Sequence, residues 1–209
     1  MQANKKITVL TVDDHPMIRE GIAGAVNLES DMTLVGEATN GQEAIEAFRR
    51  LQPDVALMDL QMPVMSGTEA LTVIRSEFPS ARIIMLTTYD GDVQVVRALR
   101  AGAQGYLLKS MLRKELLETI RMVYAGKRCI PREVAERIAD NFDHDSLTPR
   151  EIAVLRLVSN GHSNKLVGQQ LSISEDTVKN HMGSILSKLS AQDRTHAVTI
   201  AMRRGFLDG

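Results

Sequence analysis

Five times in the first 125 residues, a short run of branched apolar residues gives way to a longer stretch with helical spacing. The short runs are ITVLTV (7–12), TLVGEA (33–38), DVALMD (54–59), RIIMLT (82–87) and GYLLK (105–109), each bounded by turn-forming residues. Between them, MIREGIAGAV, GQEAIEAFRRL, GTEALTVIRSEF and DVQVVRALRAG gather their apolar residues on one helical face, and RKELLETIRMVYAG adds a fifth helix. Strands separated by helices run parallel and need cover on both faces. The alternation therefore predicts an α/β fold with a five-stranded, doubly wound parallel sheet. Right-handed crossovers in such a sheet leave a crevice at the carboxyl ends of the strands, where the winding reverses.

From about residue 127 the pattern changes, and no further strand is expected. KRCIPREVAERIADNFDHDS holds one expected helix, beginning at Pro131, and then turns polar, as a connector would. Beyond it LTPRE is a helix start: Thr148 caps, Pro149 takes the first helical position, Glu151 closes a capping box and Leu147 sits where a hydrophobic staple would. Three more helices are expected at about 164–171, 175–189 and 193–204. The expected organisation is a sheet domain at 1–125, a linker at 126–146 and a small all-α domain at 147–209. Net charge follows the same division, being −3 for residues 1–126, −1 for 127–146 and +3 for 147–209. An acidic domain suited to metal or phosphate is thus joined to a basic one suited to nucleic acid.

Other classes are disfavoured. MQANKKITV has no apolar core of signal-peptide length, and no run reaches the roughly 18 apolar residues of a membrane span, so a cytoplasmic protein without membrane contacts is expected. Cys129 is the sole cysteine, which excludes an internal disulfide and a structural zinc site and leaves an inert thiol.

Three carboxylates fall at strand ends on one side of the expected sheet. Asp13 and Asp14 follow the first strand and Asp59 ends the third. In the strand order 2-1-3-4-5 these two strands are neighbours at the switch point, so the acids converge. Converging anions repel unless a cation joins them, and an all-oxygen set accessible to water suits Mg2+. Across the crevice, Thr87 ends the fourth strand and Lys109 the fifth, adding a hydroxyl and a positive charge. A metal, a lysine and a hydroxyl around one carboxylate supply the positioning and charge neutralisation that phosphoryl transfer needs, and Asp59 is the candidate attacking oxygen.

These residues resemble the receiver domain of two-component response regulators: the acidic pair Asp13 and Asp14, MDLQMP with Asp59, LTT with Thr87, and GYLLK with Lys109. The resemblance implies a flavodoxin-like fold in which Asp59 accepts a phosphoryl group from the phosphohistidine of a sensor histidine kinase. It further implies that Asp14, Asp59 and the Gln61 carbonyl bind Mg2+, with Asp13 acting through water. Thr87 and Lys109 would contact the phosphoryl oxygens, and Tyr106 matches the aromatic that changes rotamer with Thr87. Ser110 stands where many receivers have proline. Gln61 and Tyr89 are the positions expected to set the lifetime of the phosphoryl group.

At the basic end, SNKLVGQQLSISEDTVKNHMGSILSKL contains a short helix, a turn at SIS and a longer helix. In the longer helix Val178, Met182, Ile185 and Leu189 make one apolar stripe, and the opposite face presents Asp176, Asn180, Gly183, Ser184 and Ser187, flanked by Lys179 and Thr177. A helix with a dry back and a short polar front suits the DNA major groove, where Asn180 pairs with adenine and Lys179 with guanine. LTPRE, SN before Lys165, and TVKNH resemble the LuxR-type helix-turn-helix of NarL/FixJ regulators. The implied DNA contacts are Lys165, Thr177, Lys179, Asn180, Gly183, Ser184 and Lys188, and the last helix, AVTIAMRRGFL, would support dimer contacts. Leu166 replaces the family's usual glutamate and Gly183 a polar or basic reader.

The expectation is a phosphorylation-dependent DNA-binding transcription regulator, not an enzyme, that forms a homodimer when phosphorylated. Double-stranded DNA, a sensor kinase and RNA polymerase are its candidate partners. Two alternatives stand beside it: a Mg2+-dependent small-molecule phosphohydrolase, although no DxDxT or GxSxG motif occurs, and a receiver with a protein-binding helical domain.

Overall fold

A computed structural model describes residues 5–88, 92–110, 113–130, 135 and 147–207. Tyr89 and the helix expected at Pro131, with most of the linker, lie outside the described residues. The chain divides into two compact units.

The first unit is a parallel sheet of β1 (Ile7–Val12), β2 (Met32–Ala38), β3 (Val55–Asp59), β4 (Ile83–Thr87) and β5 (Gly105–Leu108), in the order β2-β1-β3-β4-β5. The connecting helices are α1 (Pro16–Asn27), α2 (Gly41–Leu51), α3 (Gly67–Glu77) and α4 (Asp92–Arg100), and α5 (Arg113–Tyr124) follows β5. Every residue of β3 and β4 is buried, as central parallel strands require. On one face Ile22, Ala25 and Val26 of α1 and Leu116, Leu117, Ile120 and Val123 of α5 cover Val9, Leu57, Ile84 and Leu86. Ala44, Ile45 and Phe48 of α2 are buried, as are Ala70, Leu71 and Ile74 of α3, and Phe48 meets Phe78 with ring centres 5.3 Å apart.

Local chemistry fixes where the helices begin. Asn40 accepts the Glu43 N–H at the start of α2, and Ser66 and Glu69 form a reciprocal capping box at the start of α3. As expected, no strand follows residue 127 among the described residues, although one residue there joins the edge of the sheet. Cys129 forms a single parallel bridge with Gly105, donating its N–H to the Gln104 carbonyl at 2.9 Å and accepting the Tyr106 N–H at 2.9 Å. A lone bridging residue has no alternation to reveal it. Burial pushes the Cys129 thiol above its ordinary pKa, in keeping with an inert side chain.

The second unit packs α6 (Pro149–Ser159), α7 (Asn164–Leu171), α8 (Glu175–Lys188) and α9 (Arg194–Arg204) around Val154, Leu155, Val158, Val167, Val178, Ile185 and Ala197. The Thr148–Glu151 capping box is present at the start of α6. Ser163 caps α7 through the Leu166 N–H at 3.4 Å, without the reciprocal bond that a glutamate at 166 would supply. Between α7 and α8 the chain turns through Ser172 at φ 55°, and the Ile173 N–H bonds to the Gly168 carbonyl at 2.9 Å. A Cβ on Gly168 would lie 2.7 Å from the Ile173 carbonyl oxygen, so the turn needs glycine there. Among the described residues no helix is long and apolar enough to cross a membrane.

Gly67 governs the junction between β3 and α3. Its N–H bonds to the Leu60 carbonyl at 3.0 Å, and a Cβ at this position would collide with the Asp59 carbonyl oxygen. Gly67→Ala is expected to lower the stability of the sheet unit by about 1–3 kcal/mol in denaturant titration, because strand end and helix start must part to admit the methyl.

Candidate functional site

The sheet order delivers the acids to one point. Val12 lies opposite Met58 in the register of β1 and β3, so Asp13 emerges beside Asp59. Asp13 is held rigidly: its N–H bonds to the Ala38 carbonyl at 3.1 Å, and Arg19 Nη1 donates to its carbonyl at 2.7 Å. Its side chain is fully buried, that of Asp59 nearly so, and Asp14 is partly exposed. Lys109 reaches them from beyond β4. Its N–H donates to the Thr87 carbonyl at 2.7 Å, and its Nζ lies 2.8 Å from Asp13 Oδ2 and 2.8 Å from Asp59 Oδ2. Since β4 separates β5 from β3, only a long side chain can bridge that gap.

Burial pushes the Asp59 carboxyl above its ordinary pKa; Lys109 pulls it back and the Asp13 charge adds to the rise. For Lys109 burial opposes the charge, but Asp13 and Asp59 outweigh it and hold the ammonium above its usual pKa. One cation is thus shared between two carboxylates in a nearly closed pocket, with the Asp14 carboxylate at its mouth. Thr87, almost fully buried, ends the neighbouring strand, and Tyr106 is wholly buried in β5 opposite Met85. Gln61 is exposed just beyond β3, and its backbone N–H faces Asp59.

His15 was not among the expected site residues. Its Nδ1 lies 2.7 Å from Asp14 Oδ1 and 3.2 Å from Asp13 Oδ1, and its backbone N–H donates to Asp13 Oδ1 at 2.9 Å. With Asp13, Asp14 and Asp59 it offers four ligand atoms within 4.8 Å of one another. The signal was its place in DDHP, where the residue before a helix-starting proline is forced into extended backbone and turns back towards the acids.

In the second unit Val178, Met182 and Ile185 are buried on the inner side of α8, as the stripe predicted. Lys179, Asn180, Gly183 and Ser184 are exposed together on α8, and Lys165 is exposed on α7. Thr177 is half-buried, its hydroxyl 2.8 Å from that of the cap residue Ser174. Lys188 is directed elsewhere: its Nζ lies 2.8 Å from Glu151 Oε2, the same oxygen that accepts the Thr148 N–H at 2.7 Å. Glu151 is buried, which by itself would raise its pKa, yet Lys188 and Thr148 hold it below the ordinary value. Spacing along α8 could not show this, because the partner lies 37 residues away on another helix.

Comparison with known proteins agrees with this geometry. Residues 9–121 match the response regulator receiver domain, and residues 145–201 match the luxR family of bacterial regulatory proteins. The chain is similar to the transcriptional regulatory protein YxjL of Bacillus subtilis, with 40% identity over 97% of this chain and 98% of that one. It is also similar to the response regulator protein VraR of Staphylococcus aureus, with 38% identity over 96% and 99% of the two chains. Among solved structures, the response regulator ChrA of a heme-sensing two-component system superposes with a TM-score of 0.58 at 32% identity, over 97% of this chain and 99% of that one.

The raised pKa of Asp59 has a thermodynamic sign. Folding favours its protonated form, so the stability it contributes is present below the unfolded pKa of about 4 and is lost as pH rises through the folded value. Asp59→Asn, uncharged throughout, should therefore be more stable than wild type at pH 7 by on the order of 1 kcal/mol, with the gap closing as pH falls to about 4. Urea titrations in EDTA across that range measure it.

Proposed function

The chain belongs to the response regulators that join a receiver domain to a luxR-family DNA-binding domain, and on that basis we propose that phosphorylation of Asp59 controls its binding to promoter DNA. The observation that carries the reading is the ammonium of Lys109, held 2.8 Å from both Asp13 and Asp59 at the open end of the sheet. Its positive charge opposes the burial that favours protonated Asp59, and so supports the anionic, nucleophilic form of the oxygen. A carboxylate oxygen of Asp59 attacks the phosphorus of a phosphohistidine on a sensor kinase. As the P–O bond forms the P–N bond breaks, and the imidazole leaves with its electron pair. Lys109 then turns from two carboxylates to the phosphoryl oxygens, and the Thr87 hydroxyl supplies a further donor. Tyr106, packed in the adjacent strand, follows the movement of Thr87.

The pocket fits Mg2+. Asp13, Asp14 and Asp59 bring carboxylate oxygens within 4.8 Å of one another, and with Asp14 partly exposed the cluster offers hard oxygen ligands beside solvent. Asp14, Asp59 and the Gln61 carbonyl would hold the ion, with Asp13 acting through water. When bound, Mg2+ supplies positive charge against the gathered carboxylates and the incoming phosphoryl oxygens.

We take residues 1–125 as the receiver, 126–146 as the connector and 147–209 as the DNA-binding domain of a cytoplasmic regulator. In the last, α8 enters the major groove and Lys165, Thr177, Lys179, Asn180, Gly183 and Ser184 form the contact surface. Lys188, bound to Glu151, acts by fastening α8 to α6. So small a domain neutralises few phosphates, so two copies are needed on a repeated or palindromic site, with RNA polymerase as a further partner. The luxR-family match over 145–201 favours this reading over a phosphohydrolase or a protein-binding helical domain.

With Mg2+ and a small phosphodonor, wild type should take up one phosphoryl group and sediment as a dimer. Asp59→Asn should fold, keep its basal DNA affinity and do neither; a phosphorylated wild-type monomer that binds DNA tightly would contradict the dimer step. In a separate titration Mg2+ should raise the melting temperature of wild type, and Asp14→Asn should require at least tenfold more ion for the same shift, about 1.4 kcal/mol of lost binding.

A further inference from the structure

The front of α8 carries an acidic residue to which the proposed function gives no role. Asp176 lies in the first turn with 86% of its side chain exposed, and its Oδ1 lies 3.0 Å from Lys179 Nζ. Asp176, Lys179, Asn180 and Gly183 follow i, i+3, i+4, i+7 spacing and share one face of the helix. Glu175, the second acid near Lys179 at 3.7 Å, is placed differently: it falls three residues before the buried Val178, on the flank beside the core.

A carboxylate at the front of such a helix restricts what lies beneath it. Phosphate oxygens, guanine N7 and O6 and thymine O4 are acceptors and repel it, whereas the amino groups of cytosine (N4) and adenine (N6) donate. The requirements of an ammonium are the reverse. Both pairs place an acceptor about 3 Å from an amino group, guanine O6 beside cytosine N4 and thymine O4 beside adenine N6, but only guanine gives an ammonium two acceptors, O6 and N7. Lys179 Nζ and Asp176 Oδ1 present the complementary donor and acceptor at 3.0 Å. Beside them Gly183 is exposed and has no side chain, so the helix offers no bulk there to hold a base pair away.

We propose that Asp176 and Lys179 form one reading unit for a single G·C pair, Lys179 donating to guanine and Asp176 accepting from the cytosine N4 amino group. This rests on α8 being the DNA-recognition helix. On other sequences the two side chains stay paired with each other. The lysine then contributes little to phosphate attraction, and wherever a base acceptor lies under Asp176 the carboxylate is repelled, so the unit penalises wrong sites as well as favouring the right one.

The test is selection from random DNA by the full-length phosphorylated protein, comparing wild type with Asp176→Ala and Glu175→Ala. Each substitution removes one negative charge near Lys179, but only Asp176 lies on the reading face. Both should raise affinity for non-specific DNA at low salt. Wild type and Glu175→Ala should select a G·C pair at one fixed position of each half-site, and Asp176→Ala should lose about tenfold of that preference. Because Asn pairs with adenine, Asp176→Asn should shift the same position towards A·T. An Asp176→Ala protein with undiminished preference, or a Glu175→Ala protein that loses it equally, would overturn the reading unit while leaving DNA binding intact. Failure of wild type to select any sequence would overturn the DNA-recognition reading and this inference with it.

Discussion

One ammonium between two buried carboxylates organises the sheet domain. Lys109 stands 2.8 Å from Asp13 and from Asp59, and without it the crevice would gather negative charge in a place where burial penalises every charge. The sheet order dictates the arrangement. Placing β1 against β3 brings the two acids together, and placing β4 between β3 and β5 sets the distance a lysine has to span. A centre held in this way is poised for change: Lys109 can be drawn to any stronger anion that enters, and Thr87, whose carbonyl is bonded to the Lys109 N–H, is mechanically connected to the event.

The helical domain uses a related device for a different end. Glu151 closes the capping box of α6 and receives Lys188 from the last turn of α8, so a single buried carboxylate joins the start of one helix to the end of another. The apolar stripe of Val178, Met182 and Ile185 sets which side of α8 faces inward, and the Glu151–Lys188 pair anchors its far end. Lys179 is also ion-paired, within the first turn, so α8 presents a polar face whose lysines are already engaged. In the proposed docking of α8 on DNA, such a surface would favour discrimination over indiscriminate attraction to phosphate.

Much of this was legible in the chain, for identifiable reasons. The helix start at Thr148 was visible because capping chemistry is local, requiring a hydroxyl and a glutamate three residues apart. Asp13, Asp59, Thr87 and Lys109 stood out because each ends or directly follows a strand, and a parallel sheet brings such ends to one edge. His15 escaped notice, as its approach to the acids depends on how the chain bends before Pro16. Lys188 looked like another basic residue of the DNA-facing helix until its partner on α6 came into view, and the Cys129 bridge is too short to leave a pattern.

The sequence by itself determined the five βα units, the helix-turn-helix spacing and the identity of the charged groups at the strand ends, since periodicity, capping and turn chemistry act over a few residues. Tertiary structure alone decided which charges pair: Lys109 with both Asp13 and Asp59, and Lys188 with Glu151. These partners are far apart in the chain. An ion pair depends on separation in space and on local burial, and both are set only when the strands take their order and the helices pack.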